Sequence, residues 1–250
     1  MGLTVGAVAH CSRHLGGGRV ILGIETATER VAVAVGDGSG IVASAQLASD
    51  RRHAESLTPM ISFVLDQAGL NLADLSAIAV DVGPGLFTGM RVGIAAAEAM
   101  AWALEIPVVA VCSLDALALD ADRSETTVAV ALDARRGELY WALYRPIGTG
   151  SEPVRITEPR VSSPEDLAVH LADRAEEVTC AGSGFVRHGE VLSAHWMRPT
   201  GLVAPSADSV VRIGAHRVAI DATVPAGGVE PIYLRAPDAE INWRTRREAR

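Results

Sequence analysis

The chain has 250 residues, about half of them apolar and a fifth charged, enough for one large globular domain or two small ones with a real core. Its formal net charge of −8 speaks against non-specific binding to nucleic acid or membrane, and its 22 basic residues are all arginine, which excludes a Schiff-base or phosphate-loop lysine. Cys11, Cys112 and Cys180 are too scattered for a disulfide framework or a zinc site, which suggests a reducing, cytoplasmic setting, and no apolar run reaches the ~18 residues of a membrane span.

Residues 1–19 are Gly-rich and polar where a secretory signal would be apolar, so they read as a flexible extension or a start-site artefact. Val20–Thr26, Arg30–Val35 and Ile41–Leu47 are apolar β-type runs joined by short turns, which predicts two antiparallel hairpin connections. From His53 to Gly69 the apolar residues Leu57, Met60, Ile61, Val64, Leu65 and Ala68 fall on one helical stripe. Ala77–Val82 is a fourth strand, broken by Gly83-Pro84-Gly85, and a helix from Thr88 to Glu105 follows with Thr88 as its cap. Pro107–Ser113 is a fifth strand and Leu114–Ala121 is helical.

The second half repeats this order. Val128–Leu132 and Glu138–Tyr144 form a hairpin about Asp133-Ala134-Arg135-Arg136-Gly137, and a third strand lies within Val154–Val161. A helix capped by Ser163 starts at Pro164 and runs to about Ala175, Val178–Ala181 is a strand, and Ala207–Ile220 fits a helix. Strand-strand-strand-helix-strand-helix thus occurs twice. This gives an α/β protein with subdomains over 20–121 and 122–236, the helix near 207–220 being free to pack back on the first. A basic tail over 237–250 carries Arg244, Arg246, Arg247 and Arg250. Two like halves place a cleft between them.

Four stretches carry a resemblance: Ile21-Leu22-Gly23-Ile24-Glu25-Thr26-Ala27-Thr28, His53–Ile61, Gly83-Pro84-Gly85-Leu86-Phe87-Thr88-Gly89-Met90-Arg91-Val92-Gly93 and Asp133-Ala134-Arg135-Arg136-Gly137-Glu138. Over about residues 20–235 the chain resembles the TsaB (YeaZ) family of bacterial tRNA threonylcarbamoyladenosine biosynthesis. The resemblance implies a duplicated actin-like (ribonuclease H-like) fold. It also implies a subunit without chemistry of its own, paired with its relative TsaD, which carries the metal and transfers the threonylcarbamoyl group, and joined by the ATPase TsaE.

Two helical histidines four apart grip a metal in the catalytic relative, but Ser113 and Leu117 stand at the aligned positions, and leucine is no ligand. His10 and His14 have the spacing but lie in the extension. The hairpins at Thr26–Glu29 and Asp133–Gly137 are either ordinary turns or a degenerate nucleotide or RNA contact through Thr26, Thr28, Arg135 and Arg136. The Gly83-Pro84-Gly85 turn opens a helix N-terminus but lacks a Walker pattern. Ser113 with Asp115, or Ser183 with His188, can be picked as a hydrolytic pair, yet neither has a nucleophile elbow.

Two helices are apolar on too many sides. At about 100° per residue, Phe63 points roughly 140° from the stripe centre of the first. In the second, Arg91, Glu98 and Glu105 form one charged stripe, which sets Val92, Ala96, Met100, Ala103 and Leu104 toward the sheet and leaves Ile94, Ala95 and Trp102 beside the charges. Phe63, Ile94 and Trp102 are therefore expected to anchor a partner surface with Arg91 and Glu98 at its rim, and Gly93 and the alanines to admit a partner helix. The resemblance assigns that surface to a TsaD heterodimer or a homodimer, keeps ATP and metal on partner subunits and brings tRNA only to the complex. The alternative is a stand-alone nucleotide-binding or peptidase-like enzyme.

Overall fold

A computed structural model describes residues 18–48, 53–121, 125–146, 152–174 and 177–235. Most of the N-terminal extension and the basic tail lie outside the described residues. The chain folds as β1 (Ile21–Glu25), β2 (Arg30–Asp37), β3 (Gly40–Ala48), α1 (His53–Ala68), β4 (Ala77–Asp81), α2 (Phe87–Leu104), β5 (Val108–Val111) and α3 (Ser113–Ala121). The order then repeats as β6 (Thr127–Arg135), β7 (Glu138–Tyr144), β8 (Arg160–Ser162), α4 (Pro164–Ala172), β9 (Val178–Ala181), α5 (Ser183–Arg187), β10 (Met197–Pro199) and α6 (Ala207–Ala219).

One topology is used twice. The first sheet has the order β3-β2-β1-β4-β5 and the second β10-β9-β6-β7-β8, which is the same order read from the other edge. In each, the first three strands are antiparallel and the last two add in parallel. The sheets are thus two ribonuclease H-like halves of an actin-like fold. The repeat departs from the sequence expectation in one place. The partner of α2 in the second half is the one-turn α5, and the helix at 207–219 follows the extra strand β10, so it corresponds to α3. Three residues ending in a proline are too short to show alternation, so β10 left no periodic signal.

The first sheet is covered on both faces. Leu22, Ile24, Val31, Val33, Val35, Ile78 and Val80 point to α1 and α2 and form one core with Leu57, Ile61, Val64, Leu65, Ile94, Ala97 and Ala101. The other face carries small residues, Ala32, Ala34, Ala77 and Ala79, beneath Val210, Val211 and Ile213 of α6. Their size sets the spacing. A Cβ at Gly23 would meet Val211 and the Ala207 carbonyl, and one at Gly214 would meet Ala79. Helix α3 packs against β6, β7 and β9, so Leu114, Leu117 and Ala118 share a core with Val128, Val130 and Tyr144.

Helix ends follow local chemistry. At α4, Ser163 accepts from the Asp166 amide while the Asp166 side chain accepts from the Ser163 amide, a reciprocal cap over Pro164 at the first position. The cap expected at Thr88 is absent. Helix α2 starts one residue earlier, with Leu86 as N-cap and no side-chain cap bond, and the Leu86 amide is held by the Ala27 carbonyl at 2.7 Å.

Candidate functional site

Two acids end the central strands of the first sheet. Ile24 of β1 pairs with Val80 of β4, so the next residues, Glu25 and Asp81, lie side by side at the strand ends facing the second half. Both are fully buried. Asp81 Oδ1 accepts from the Gly83 amide at 2.7 Å and from the Ser113 hydroxyl at 2.6 Å. Its Oδ2 is buried and makes no hydrogen bond to the described residues. Glu25 accepts from the Thr28 amide and hydroxyl at 3.1 and 3.3 Å. Burial first, and then the neighbouring Asp81 charge, push the Glu25 carboxyl well above its ordinary range. Burial pushes Asp81 up to about 7, against the pull of its bonds from Ser113 and Gly83. Burial and the closeness of the two acids both favour their protonated forms. Among the described residues no three His, Cys, Asp or Glu side chains gather as a metal ion requires.

The positions aligned with the relative's histidines do not fit a metal. Ser113 is buried with its hydroxyl on Asp81, and Leu117 is fully buried in the core between the halves. Of the second hydrolytic pair, Ser183 Oγ accepts from the Asp133 amide, while His188 Nε2 is buried and makes no hydrogen bond to the described residues. Burial pushes the Cys112 thiol up to about 12, which disfavours its thiolate.

The two hairpins expected at the cleft do approach each other. Arg135 reaches Glu29 across the gap at 3.5 Å. Arg135, Arg136 and Gly137 all have positive φ, at 62°, 55° and 77°, which twists the turn tightly and leaves both arginines exposed. Around them Asp133 pairs with Arg187, and Glu138 accepts from Arg235 at 2.9 Å. The threonines are placed differently. Thr26 is fully buried and donates to the Gly89 carbonyl at 2.9 Å, so it is removed from the contact set, its hydroxyl being committed to holding α2. Thr28 is half-buried and closes its own turn on Glu25.

The expected partner surface is corrected at several points. Ile94 is only 8% exposed and belongs to the core over the first sheet, so it anchors no partner. The stripe of α2 that meets the sheet is Gly89, Met90, Gly93, Ile94, Ala97 and Ala101, roughly a quarter-turn from the stripe predicted. The reason lies in the small residues. A Cβ at Gly89 would strike the Thr26 carbonyl and one at Gly93 the Thr26 hydroxyl, so these glycines let α2 approach β1 rather than a partner. What remains outward is Ala95, Ala99, Ala103 and Trp102, and Trp102 is 79% exposed.

Phe63 is also exposed, at 41%, but in another place. It lines a groove of about 550 Å³ with Pro59 and Met60, the edge of β3 and the start of α6. Trp102 borders a different hollow with Ile106, Pro107, Pro225 and Ala226, and the two share no residue. The rim charges are already engaged. Arg91 Nε donates to the Tyr233 hydroxyl at 3.0 Å and its guanidinium lies 4.3 Å over the Phe87 ring, while Glu98 accepts from the Val229 amide at 3.2 Å.

Sequence reasoning missed Glu25 and Asp81 as a pair, although an acid closing each apolar strand run was there to be noticed. It also missed residues 222–235, which carry no periodicity. The family model described as TsaD, tRNA N6-adenosine threonylcarbamoyltransferase, matches residues 32–181. The chain is 33% identical to the tRNA threonylcarbamoyladenosine biosynthesis protein TsaB of Escherichia coli over 86% of its own length and 94% of that protein. It is 28% identical to TsaB of Bacillus subtilis over 89% and 97%. The solved structure of YeaZ from Pseudomonas aeruginosa superposes with a TM-score of 0.78 at 32% identity, covering 86% of this chain and 100% of that one. With the duplicated fold and this extent of identity together, the chain belongs to the TsaB family.

Proposed function

We propose that the chain is the non-catalytic scaffold subunit of the tRNA N6-threonylcarbamoyladenosine transferase, binding and activating TsaD and helping to recruit TsaE. The observation that carries this reading is the outward strip of α2. A solvent-facing tryptophan on a run of alanines is costly in isolation and suits a helix laid along it. Family membership supplies the pathway, since the relatives are named for threonylcarbamoyladenosine biosynthesis. Ser113 and Leu117 support assigning transfer chemistry, ATP and metal to the partners. A homodimer through the same strip is the competing use of the surface. Transfer RNA enters with the assembled complex, and the contact suggested for the basic tail lies outside the described residues. Among the described residues no helix is long and apolar enough to cross a membrane.

Light-scattering chromatography of this chain with TsaD from the same organism tests the reading. A one-to-one complex is expected, lost in Trp102→Asp and retained in Phe63→Asp, because the two residues border separate hollows. The purified chain alone should neither hydrolyse ATP nor modify tRNA. No complex under any nucleotide condition, or turnover by the chain alone, overturns the scaffold reading and restores the stand-alone enzyme.

A further inference from the structure

Residues 222–235 have no regular structure, yet they touch every part of the molecule that the proposed function needs. Val224 exchanges two 2.9 Å backbone bonds with Val108 on the open edge of the first sheet. Pro225 and Ala226 form one wall of the hollow beside Trp102. The Val229 amide donates to Glu98, and Tyr233 accepts from Arg91 and packs on Phe87 with ring centroids 5.4 Å apart. The Ile232 amide donates to the Val82 carbonyl at 2.8 Å, one residue beyond Asp81. Ile232 packs against the cores of both halves, and Arg235 reaches Glu138 on β7.

We infer that this segment is a strap coupling the outward strip of α2 to the cleft between the halves, and that a partner helix docking on the strip tightens it. The inference rests on the partner reading given above. Its direction follows from helix geometry. Phe87, Arg91 and Glu98, the residues the strap holds, form one edge of α2 between the sheet-facing stripe and the outward strip. The strap therefore flanks the strip without covering Trp102, so an occupant adds contacts to the strap and displaces none. The strap itself is weakly held. Among the described residues its backbone-to-backbone bonds to the body are the Val224 pair, the Ile232 amide and, at its root, the Ala222 amide on the Arg217 carbonyl. Between Val224 and Ile232 only the Val229 amide, on the Glu98 side chain, ties its main chain down, and Gly227 sits at φ 88° within it. A segment of this kind opens locally at low cost, and whatever orders it is favoured by whatever else orders it. Linkage then requires the converse, that loosening the strap weakens partner binding.

The test is amide exchange of the whole chain, alone and in its TsaD complex, together with the TsaD affinities of Tyr233→Ala, Tyr233→Phe and Arg235→Ala. Exchange at Val224, Val229 and Ile232 should slow about tenfold in the complex, within the usual range of such couplings. Tyr233→Ala should weaken the complex about fivefold or more, and Tyr233→Phe, which keeps the ring on Phe87, should weaken it less. Arg235 pairs with Glu138 on β7, in the other half from the strip, so a loss of affinity in Arg235→Ala reports coupling and not contact. The exchange arm uses no substitution and stands even if a variant folds poorly. A complex that forms with strap exchange unchanged, or with wild-type affinity in Tyr233→Ala and Arg235→Ala, overturns the strap and leaves the scaffold reading intact. No complex with the unsubstituted chain sinks both.

Discussion

Single residues divide sharply by where their polar atoms end. Asp81 is an acid whose folded-state affinity for its proton, at about 7, exceeds the unfolded value of 3.8. Between those values the folded state binds more protons, so this group makes stability fall as pH rises from about 4 to about 7, with no further loss above that. Asp81→Asn keeps the acceptor for Gly83 and Ser113 and removes the titration. Its unfolding free energy should be flatter over that window and higher at pH 8, by about 1–4 kcal/mol, as chemical denaturation at a series of pH values would show. If the two proteins have parallel pH profiles, Asp81 is not the group responsible. Trp102 and Ile94 make the opposite kind of pair. They are eight residues apart on one helix and look equally apolar in the sequence, but one faces solvent and the other the sheet. In chemical denaturation Trp102→Asp should change the unfolding free energy little, within about 0.5 kcal/mol, whereas Ile94→Asp buries an unpaired charge and should cost about 3 kcal/mol or more.

At the scale of elements, α2 shows what the sequence could not convey. Its existence and length were legible, because eighteen helix-compatible residues follow a Gly-Pro-Gly break. Its rotation was not, because a helix built from glycine and alanine presents apolar surface in every direction, and the large residues then mislead. The deciding fact is that β1 comes close enough to need glycine. Gly89→Ala should destabilise the fold by about 2 kcal/mol in urea titration. It gains up to about 1 kcal/mol of helix propensity but drives a methyl into the Thr26 carbonyl, which is backbone and cannot swing aside. Helix α4 was readable to the residue at its start, since Ser163 and Pro164 form a local signal that needs no tertiary knowledge. Strand β8, three residues at Arg160–Ser162, begins later than most of the stretch expected to hold it, where Val154 and Ile156 stay largely exposed. The candidate site was legible in the same proportion. The hairpins meet, as the Arg135–Glu29 contact shows, but Thr26 went inward and Arg91 and Glu98 were claimed by a segment of no regular structure.

For the molecule as a whole, the join between halves sets a buried polar contact beside its apolar core. Arg155 grips Asp115 with both arms, at 2.8 and 2.7 Å, and Tyr144 donates to the same carboxylate at 2.9 Å. Arg155→Ala leaves the nearly buried Asp115 carboxylate with Tyr144 and the more distant Arg217, at 3.8 Å, and should cost about 1–3 kcal/mol, with a strong coupling to Asp115 in a double-mutant cycle. The exposed Arg135–Glu29 pair at the cleft mouth should return no more than about 0.5 kcal/mol in the same experiment. Helix α6 adds a consequence for biosynthesis. One face of the first sheet is closed mainly by residues 207–219, with Ala116 and Leu119 of α3 at its side, although its last strand ends at Val111. A ribosome must therefore expose nearly the whole chain before the half it made first can close. During that interval Ala32, Ala34, Ala77 and Ala79 wait uncovered while the second half is made, and the two halves finish folding together rather than in the order they were translated.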